Sequence, residues 1–536
     1  MTDEAAVQEI RAAVEAPDLP RAVELARKAL ADGREHPLFL NLRAFWFEQQ
    51  GRPLDALTDL ERAHALAPDD AIVGNALGLC LANLNRFWDA RAAFRNAAAR
   101  QPDLAPAQFN LGWASEELGL LVEAREAFLR AEQIDPHSAL PPARLANLAA
   151  CSADFERARQ HAGRALGLDS NQPLAHLALA ACEFADGRTQ AAETRLRRIL
   201  ADSRIGRFEH ALAFRLLGNC LDASGSTDQA FAAYSASNRE TANLYASRFG
   251  GSSAEPVSNH LSRFATWFQN TNPAQWKRKN ERVPETRPVA AHFFIVGFPC
   301  SGTALLEDVL DVHPLVCSTG ERDGLETGVR TFLGGADGLG RLSESDTGDL
   351  LVFREQYWRK LRELGLAFEG KVLVDSQPYH AVKLPLIVKL FPDARIIFVN
   401  RDPRDVVFGC FRSRLRMNPF NHELLTLEGA ARLYSSVMRL VDRFRDVLPL
   451  TLLDIPYERL VRDPRNCVAA VYRYTGLNPA EADRDPAERI GPRAPATPIG
   501  GAGLGEIGAW RPYADRMSPV LPILQPWIER FGTSPD

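Results

Sequence analysis

Ala22, Ala56, Ala90, Ala124, Ala158 and Ala192 stand 34 residues apart without a miss. Seven positions after the first five of them come Ala29, Ala63, Ala97, Ala131 and Ala165. A turn position repeats as Gly51, Asn85, Gly119, Ala153 and Gly187. A breaker position repeats as Pro68, Pro102 and Pro136, with Ser170 in the next slot. A fixed period of this length restricts a chain to a stack of repeated supersecondary units, because one unit cannot bury its apolar face alone. Alanines seven apart share a helix face, and their methyl side chains let a second helix approach closely. Leu60, Phe94, Phe128 and Leu196 supply the large apolar partner. The period slips by four near "DSRIG" and resumes with Gly225 and Ala230.

A 34-residue unit of two helices crossing at small residues resembles the tetratricopeptide repeat. The resemblance implies an α-solenoid over residues 1–245, about seven helix pairs stacked right-handedly around a concave groove. Such grooves take peptides or partner proteins. One groove-facing position reads Ala76, Asn110 and Arg144 in successive repeats, so no single side-chain ladder defines the ligand. An array of this kind also serves to dimerise or to brace a neighbouring domain, and the sequence leaves the oligomeric state open.

The chain's 536 residues are too many for one core and suggest roughly two to four domains. A formal charge of -5 argues against a general nucleic-acid binder. The acidic start "MTDEAAVQEIRAAVEA" has no basic segment followed by an apolar one, so no secretory signal is expected. No apolar run is long enough for a membrane span. Eight cysteines are scattered singly, without C-x-x-C pairs or zinc spacing, a usage that fits reduced thiols in a cytoplasm.

After "NRETANLYASRF" the repeat dissolves into "GGSSAEP", and residues 246–290 read as a linker. Its basic run, Lys277, Arg278, Lys279 and Arg282, reads as a solvated helix face or as a flap over an anionic ligand. From residue 291 to 536 the pattern is strand, turn and helix. "HFFIVG", "KVLVDS", "ARIIFVNR" and "LTLLDIPYERL" are short apolar runs, the first three followed by helical segments. Continuous apolar strands alternating with helices predict a parallel sheet covered on both faces, with ligands at the carboxyl ends of the strands. The fold class is therefore α followed by α/β.

Two loops at such strand ends are suited to anions. In "GFPCSGTALLEDVLDVHP", Gly297 and Gly302 have the spacing of a Walker A loop. Thr303 and Ala304 stand where that motif has Lys and Ser or Thr. Backbone N–H groups and the helix dipole still converge on one point, with Ser301 and Thr303 as hydroxyl donors. Without the lysine, nucleoside-triphosphate hydrolysis is not expected, although Asp375 ends a strand where a magnesium carboxylate would stand. In "FVNRDPRDVVFG", Arg401 and Arg404 are close in sequence to a helix N-terminus, as bidentate phosphate capture requires.

Together the two loops resemble the PAPS-dependent sulfotransferases, closest to the tyrosylprotein-sulfotransferase-like group that in bacteria is often fused behind tetratricopeptide repeats. "FFIVGFPCSGTALLEDVLDVHPLV" is similar to that family's F-I-V-G-x-P-R-S-G-T-T-L-L-E segment, and "FPDARIIFVNRDPRDVV" to its 3′-phosphate segment. "YERLVRDP" and the terminal "WRPY" also resemble family segments. The resemblance implies a P-loop-like domain using PAPS as co-substrate, with no metal, to sulfate a hydroxyl on a peptide or protein held by the repeats. It implies that Pro299, Cys300, Ser301, Gly302, Thr303 and Ala304 hold the 5′-phosphate, that Arg401 and the position of Gly409 hold the 3′-phosphate, and that Tyr457 lies by the nucleotide. It makes Glu321 the catalytic base, a role that suits proton removal from an acceptor hydroxyl.

Three positions depart from the family pattern. Cys300 replaces an arginine, Ser376 replaces the lysine of D-K-x-P, and Gly409 replaces a serine. Losing one cation near a transferring group typically costs about 3–4 kcal/mol in the transition state. Lys383, Arg322, His313 and His380 are candidates to replace it, and Arg412 with Arg416 to offset the missing serine. The alternative is a repeat scaffold whose sulfotransferase-like domain has lost catalysis and senses nucleotide or only braces a complex.

Overall fold

Six helical hairpins each turn on one left-handed residue. Gly51, Asn85, Gly119, Ala153, Gly187 and Gly225 have φ between 58° and 76°. These are the recurring turn positions of the sequence. The structure, a computed structural model, describes residues 3–249, 256–277, 288–320, 322–346, 348–483, 485, 488, 490 and 507–532. Helices from Asp3–Glu15 to Thr189–Leu200 pair in six hairpins, which form the N-terminal tetratricopeptide-repeat solenoid, and Arg207–Ala223 pairs with Thr227–Phe249 through Gly218 and Tyr234. All six alanines of the 34-residue register are 0% exposed, so the period marks the helix-crossing points. Glycines on the first helix of a pair make the same fit against rings on the second. A Cβ at Gly78 would stand 2.5 Å from the Phe94 ring, and one at Gly112 would stand 2.7 Å from the Phe128 ring.

The chain divides into two compact units, Met1–Leu216 and Leu217–Asp536, at a point inside helix Arg207–Ala223. Most of the "GGSSAEP" break and most of the basic run, Arg278, Lys279 and Arg282 included, lie outside the described residues.

The second unit holds a five-stranded sheet among its described residues: β1 (Ala291–Val296), β2 (Val316–Ser318), β3 (Val372–Ser376), β4 (Arg395–Asn400) and β5 (Leu452–Pro456). Every pairing is parallel and the order is β2-β3-β1-β4-β5. β2 has three residues, too few for a hydrophobic pattern, and it is absent from the sequence reading for that reason. Phe293, Phe294, Ile295 and Val296 are nearly inaccessible on both faces of the sheet, as central parallel strands require. On one face β1 packs with Leu306, Val309 and Leu310 of helix Thr303–Leu310 and with Val471 and Tyr472 of helix Pro464–Thr475. On the other, Phe294 meets His380 and Phe391.

Candidate functional site

Strand order decides which loops meet. β1 pairs in parallel with β4, Val296 opposite Phe398, so the segments leaving these two strands emerge side by side at one edge of the sheet. The β1 segment is the glycine loop and the β4 segment begins at Arg401. Gly297 permits their approach, since a Cβ there would stand 2.7 Å from the Val399 carbonyl oxygen. The loop then closes on itself. Ser301 N–H donates to the Phe298 carbonyl at 3.0 Å, and Phe298 N–H donates to the Ser301 hydroxyl at 3.3 Å. Gly302, at φ 104°, caps helix Thr303–Leu310. Cys300, at φ 66°, holds the left-handed conformation without the freedom of glycine.

Arg401 is 2% exposed and lies behind this loop. One guanidinium nitrogen donates to the Cys300 carbonyl at 3.2 Å, and the group lies 4.3 Å over the Tyr457 ring. Asp405, one helical turn on, is 3.8 Å away. Tyr457 begins the helix after β5 and packs against Gly302. The fold thus gathers Cys300, Gly302, Arg401 and Tyr457 from three loops. Ser301 and Thr303 are buried beneath the loop, whereas Ala304 is exposed on the helix. Pro299 offers its carbonyl to the Cys410 thiol at 3.2 Å.

Gly409 belongs to the same cluster. A Cβ at 409 would stand 3.2 Å from the Cys300 Cβ and 3.6 Å from its sulfur, so two of the three departures from the family pattern are neighbours in space. The neighbouring Cys410 side chain holds the Cys300 thiol below its ordinary pKa against the effect of burial, helped by Ser413, Arg401 and Arg412. Burial and the neighbouring Cys300 push Cys410 well up. The sequence reading missed Cys410. The only signal was that each anion segment carries one cysteine.

Other candidate cations are engaged elsewhere. Arg404 does not join Arg401. It turns back on Asp402, at 2.7 and 3.0 Å, beneath the Trp510 ring at 4.2 Å, because Asp402 caps its own helix and holds the guanidinium there. Arg412 pairs with Asp222 at 3.2 Å. Arg416 shares no helix face with it, since helix Pro403–Arg412 ends at Arg412 and Ser413 is extended. His313 is buried between Leu315 N–H and the Asn478 carbonyl, away from the loops. Arg322 reaches the Leu364 carbonyl at 3.4 Å.

His380 and Asp375 form a buried pair. The carboxylate of Asp375, 0% exposed, meets His380 Nε2 at 2.9 Å and accepts from Tyr357 at 2.7 Å and Thr319 at 3.3 Å. Those three contacts turn Asp375 inward, away from any magnesium at the strand end. Lys383 donates to Asp323 at 2.6 Å and Gln377 at 2.9 Å. Burial opposes ionisation of Asp323, but the charges of Lys383 and His380 hold it at about 2. Glu321, two residues earlier, lies outside the described residues, while its neighbours are anchored: Thr319 N–H donates to Val374, and Gly320 N–H to the Glu307 carboxylate at 2.9 Å. No group of His, Cys, Asp or Glu suited to a metal ion occurs among the described residues.

A parallel α/β domain with a glycine loop after its central strand and an arginine against that loop, carried after helical repeats, defines the class. Residues 292–481 match the model of the Sulfotransferase family and residues 75–139 that of the Tetratricopeptide repeat, so the chain combines a sulfotransferase-family domain with such repeats. A Caenorhabditis briggsae protein named "Putative protein-tyrosine sulfotransferase" is 25% identical over 196 residues, 34% of this chain and 65% of that protein. A protein of Aquifex aeolicus, named only "Uncharacterized protein", is 22% identical over 266 residues, 47% of this chain and 34% of that one. The chain thus spans about a third to two thirds of the length of these relatives. A solved tetratricopeptide repeat protein from Parabacteroides merdae, 15% identical, superposes with a TM-score of 0.36 across 44% of this chain and 93% of its own. No described helix is long and apolar enough to cross a membrane.

Proposed function

We propose that residues 291–536 form a sulfotransferase that uses PAPS to sulfate a hydroxyl, and that the repeats recruit the acceptor as a peptide or protein. One observation carries this reading: Arg401, from the end of β4, lies against the loop that follows β1, with its guanidinium on the Cys300 carbonyl and the Tyr457 ring. That places a fixed cation and a helix N-terminus side by side, a fit for a nucleotide with phosphates at two positions. PAPS supplies the sulfuryl group when bound. The loop amides, with Ser301 and Thr303, hold the 5′ end, and Arg401 holds the 3′-phosphate. Tyr457 flanks the nucleotide, and Glu321 takes the acceptor proton. The relative named as a tyrosine sulfotransferase favours a phenolic acceptor. Eight cysteines outside any disulfide suit a reducing, cytoplasmic setting.

Binding without transfer is a second reading, favoured by Lys383. Its ammonium is engaged by Asp323 and Gln377, so it does not simply replace the lysine missing at Ser376. Calorimetry with PAP tests what both readings share: micromolar binding is expected, and no binding rejects both. Transfer from labelled PAPS then separates them. Under the enzyme reading Glu321→Gln loses about a hundredfold or more in transfer while PAP binding persists. PAP binding with no transfer from wild type, or from Cys300→Arg with Ser376→Lys, across peptide, sugar and phenolic acceptors, selects the second.

A further inference from the structure

Cys300 and Cys410 lie 110 positions apart in the chain and come side by side at the glycine loop, where the Cys410 thiol reaches the Pro299 carbonyl and Gly409 packs on the Cys300 side chain. Cys300 is partly exposed and Cys410 is buried behind it. Each is held in place by backbone. Cys410 donates to the Pro299 carbonyl at 3.2 Å, and the Cys300 carbonyl accepts from Arg401 at 3.2 Å. Gly409 leaves the space that brings the Cys300 side chain down onto helix Pro403–Arg412, where Ser413 Oγ lies 3.9 Å from its sulfur. A partly exposed cysteine beside a buried one, with a guanidinium near it, is the arrangement of an attacking and a resolving cysteine.

We propose that Cys300 is a site of reversible oxidation by peroxides and that Cys410 is its resolving thiol, so that the anion loop carries a dithiol–disulfide couple. The Cys300 thiolate attacks one oxygen of the hydroperoxide. The O–O bond breaks, Cys300 becomes a sulfenic acid, and hydroxide, or alkoxide from an organic peroxide, leaves and takes up a proton. Cys410 sulfur then displaces the sulfenic hydroxyl, giving the Cys300–Cys410 disulfide and water. Two thiols are oxidised by two electrons and one peroxide is reduced. A dithiol reductant reverses the step by exchange.

The acidity of Cys300 agrees with the attacking role, since its thiol is held below its usual value and ionises more readily than Cys410, which burial pushes well up; what suits Cys410 to resolve is its place beside Cys300. Burial raises Cys182, Cys317 and Cys467, and pushes Cys80 up to about 12, which leaves these thiols slow to react. The disulfide ties the loop to helix Pro403–Arg412 through the residue whose carbonyl meets Arg401, and nucleotide affinity is expected to fall with it. The thiol chemistry is independent of the proposed nucleotide, whereas this last effect rests on it.

The full-length reduced protein is treated with hydrogen peroxide near stoichiometry, quenched with an alkylating agent and mapped without reduction. A Cys300–Cys410 cross-linked peptide with a loss of about 2 Da is expected, at least about tenfold faster than modification of any other cysteine, and reversed by dithiothreitol. In Cys410→Ser a dimedone adduct should accumulate on Cys300. In Cys300→Ser, Cys410 should stay reduced. Prior oxidation of another cysteine, or over-oxidation of Cys300 in wild type while Cys410 remains a thiol, overturns the proposal. The wild-type experiment stands by itself if either variant misfolds. Saturating PAP should slow the cross-link. A cross-link formed at an unchanged rate supports the couple and counts against the nucleotide reading alone.

Discussion

Gly302 lies so close to Tyr457 that a methyl group at 302 would stand 2.4 Å from the tyrosine Cδ2. The glycine also holds φ at 104°. Two separate constraints therefore fall on one residue: a backbone conformation that L side chains rarely adopt, and a ring that leaves no room for a Cβ. Gly302→Ala is expected to destabilise the protein by about 2–4 kcal/mol, the sum of the conformational and overpacking penalties. Urea unfolding measures it. In the background of Tyr457→Ala the cost should shrink to the conformational part, and an undiminished cost would show that the ring contact is unimportant.

Ala153 is the converse case, an alanine at φ 58° where other repeats have glycine or asparagine. Ala153→Gly is expected to stabilise the repeats by about 0.5–1 kcal/mol, the left-handed penalty relieved less the added chain entropy of glycine. A higher thermal midpoint with unchanged far-UV circular dichroism would meet this expectation, and a lower one would contradict it.

Arg401 has a structural task as well as the proposed ligand task, since its 2% exposure and its bond to the Cys300 carbonyl tie two loops together. Arg401→Ala is expected to weaken PAP binding by about 1.5–3 kcal/mol, the scale of a charge-assisted bond to phosphate. It leaves Asp405 buried without its nearest cation, so a loss of stability should accompany it. Arg401→Lys keeps the charge but not the planar stack on Tyr457 and should fall between. Unchanged PAP affinity in folded Arg401→Ala would remove the 3′-phosphate assignment.

Acid should loosen the segment that carries Glu321 through Asp323. Its carboxylate is held at about 2 in the folded chain, below the ordinary value of about 3.9. A depressed carboxylate contributes stability that is fully present above the unfolded value and lost as pH falls from about 4 through about 2. Wild type should lose more stability over that window than Asp323→Asn does. Equal acid sensitivity of the two would mean that the Lys383 pair contributes nothing to folding.

The 34-residue alanine register, the left-handed turns and the strands at β1, β3, β4 and β5 were all legible in the sequence, because each is a local pattern of spacing or composition. The three-residue β2 was not, and neither was the division of the chain at Leu216, which falls inside a regular helix. The glycine loop was legible as a strand-to-helix turn, and so was the family whose model residues 292–481 match.

What lies beside that loop was decided only by the tertiary structure. Parallel pairing of β1 with β4 brings Arg401 to Cys300, and the helix after β4 brings Gly409 and Cys410 to the same place. Arg404, three residues from Arg401, is lost to the site because its own capping aspartate holds it. Chain spacing reports which residues share a helix face or a strand. It carries no information on which strand ends become neighbours, since that choice is made by burying the whole sheet at once, across more than a hundred residues of intervening chain.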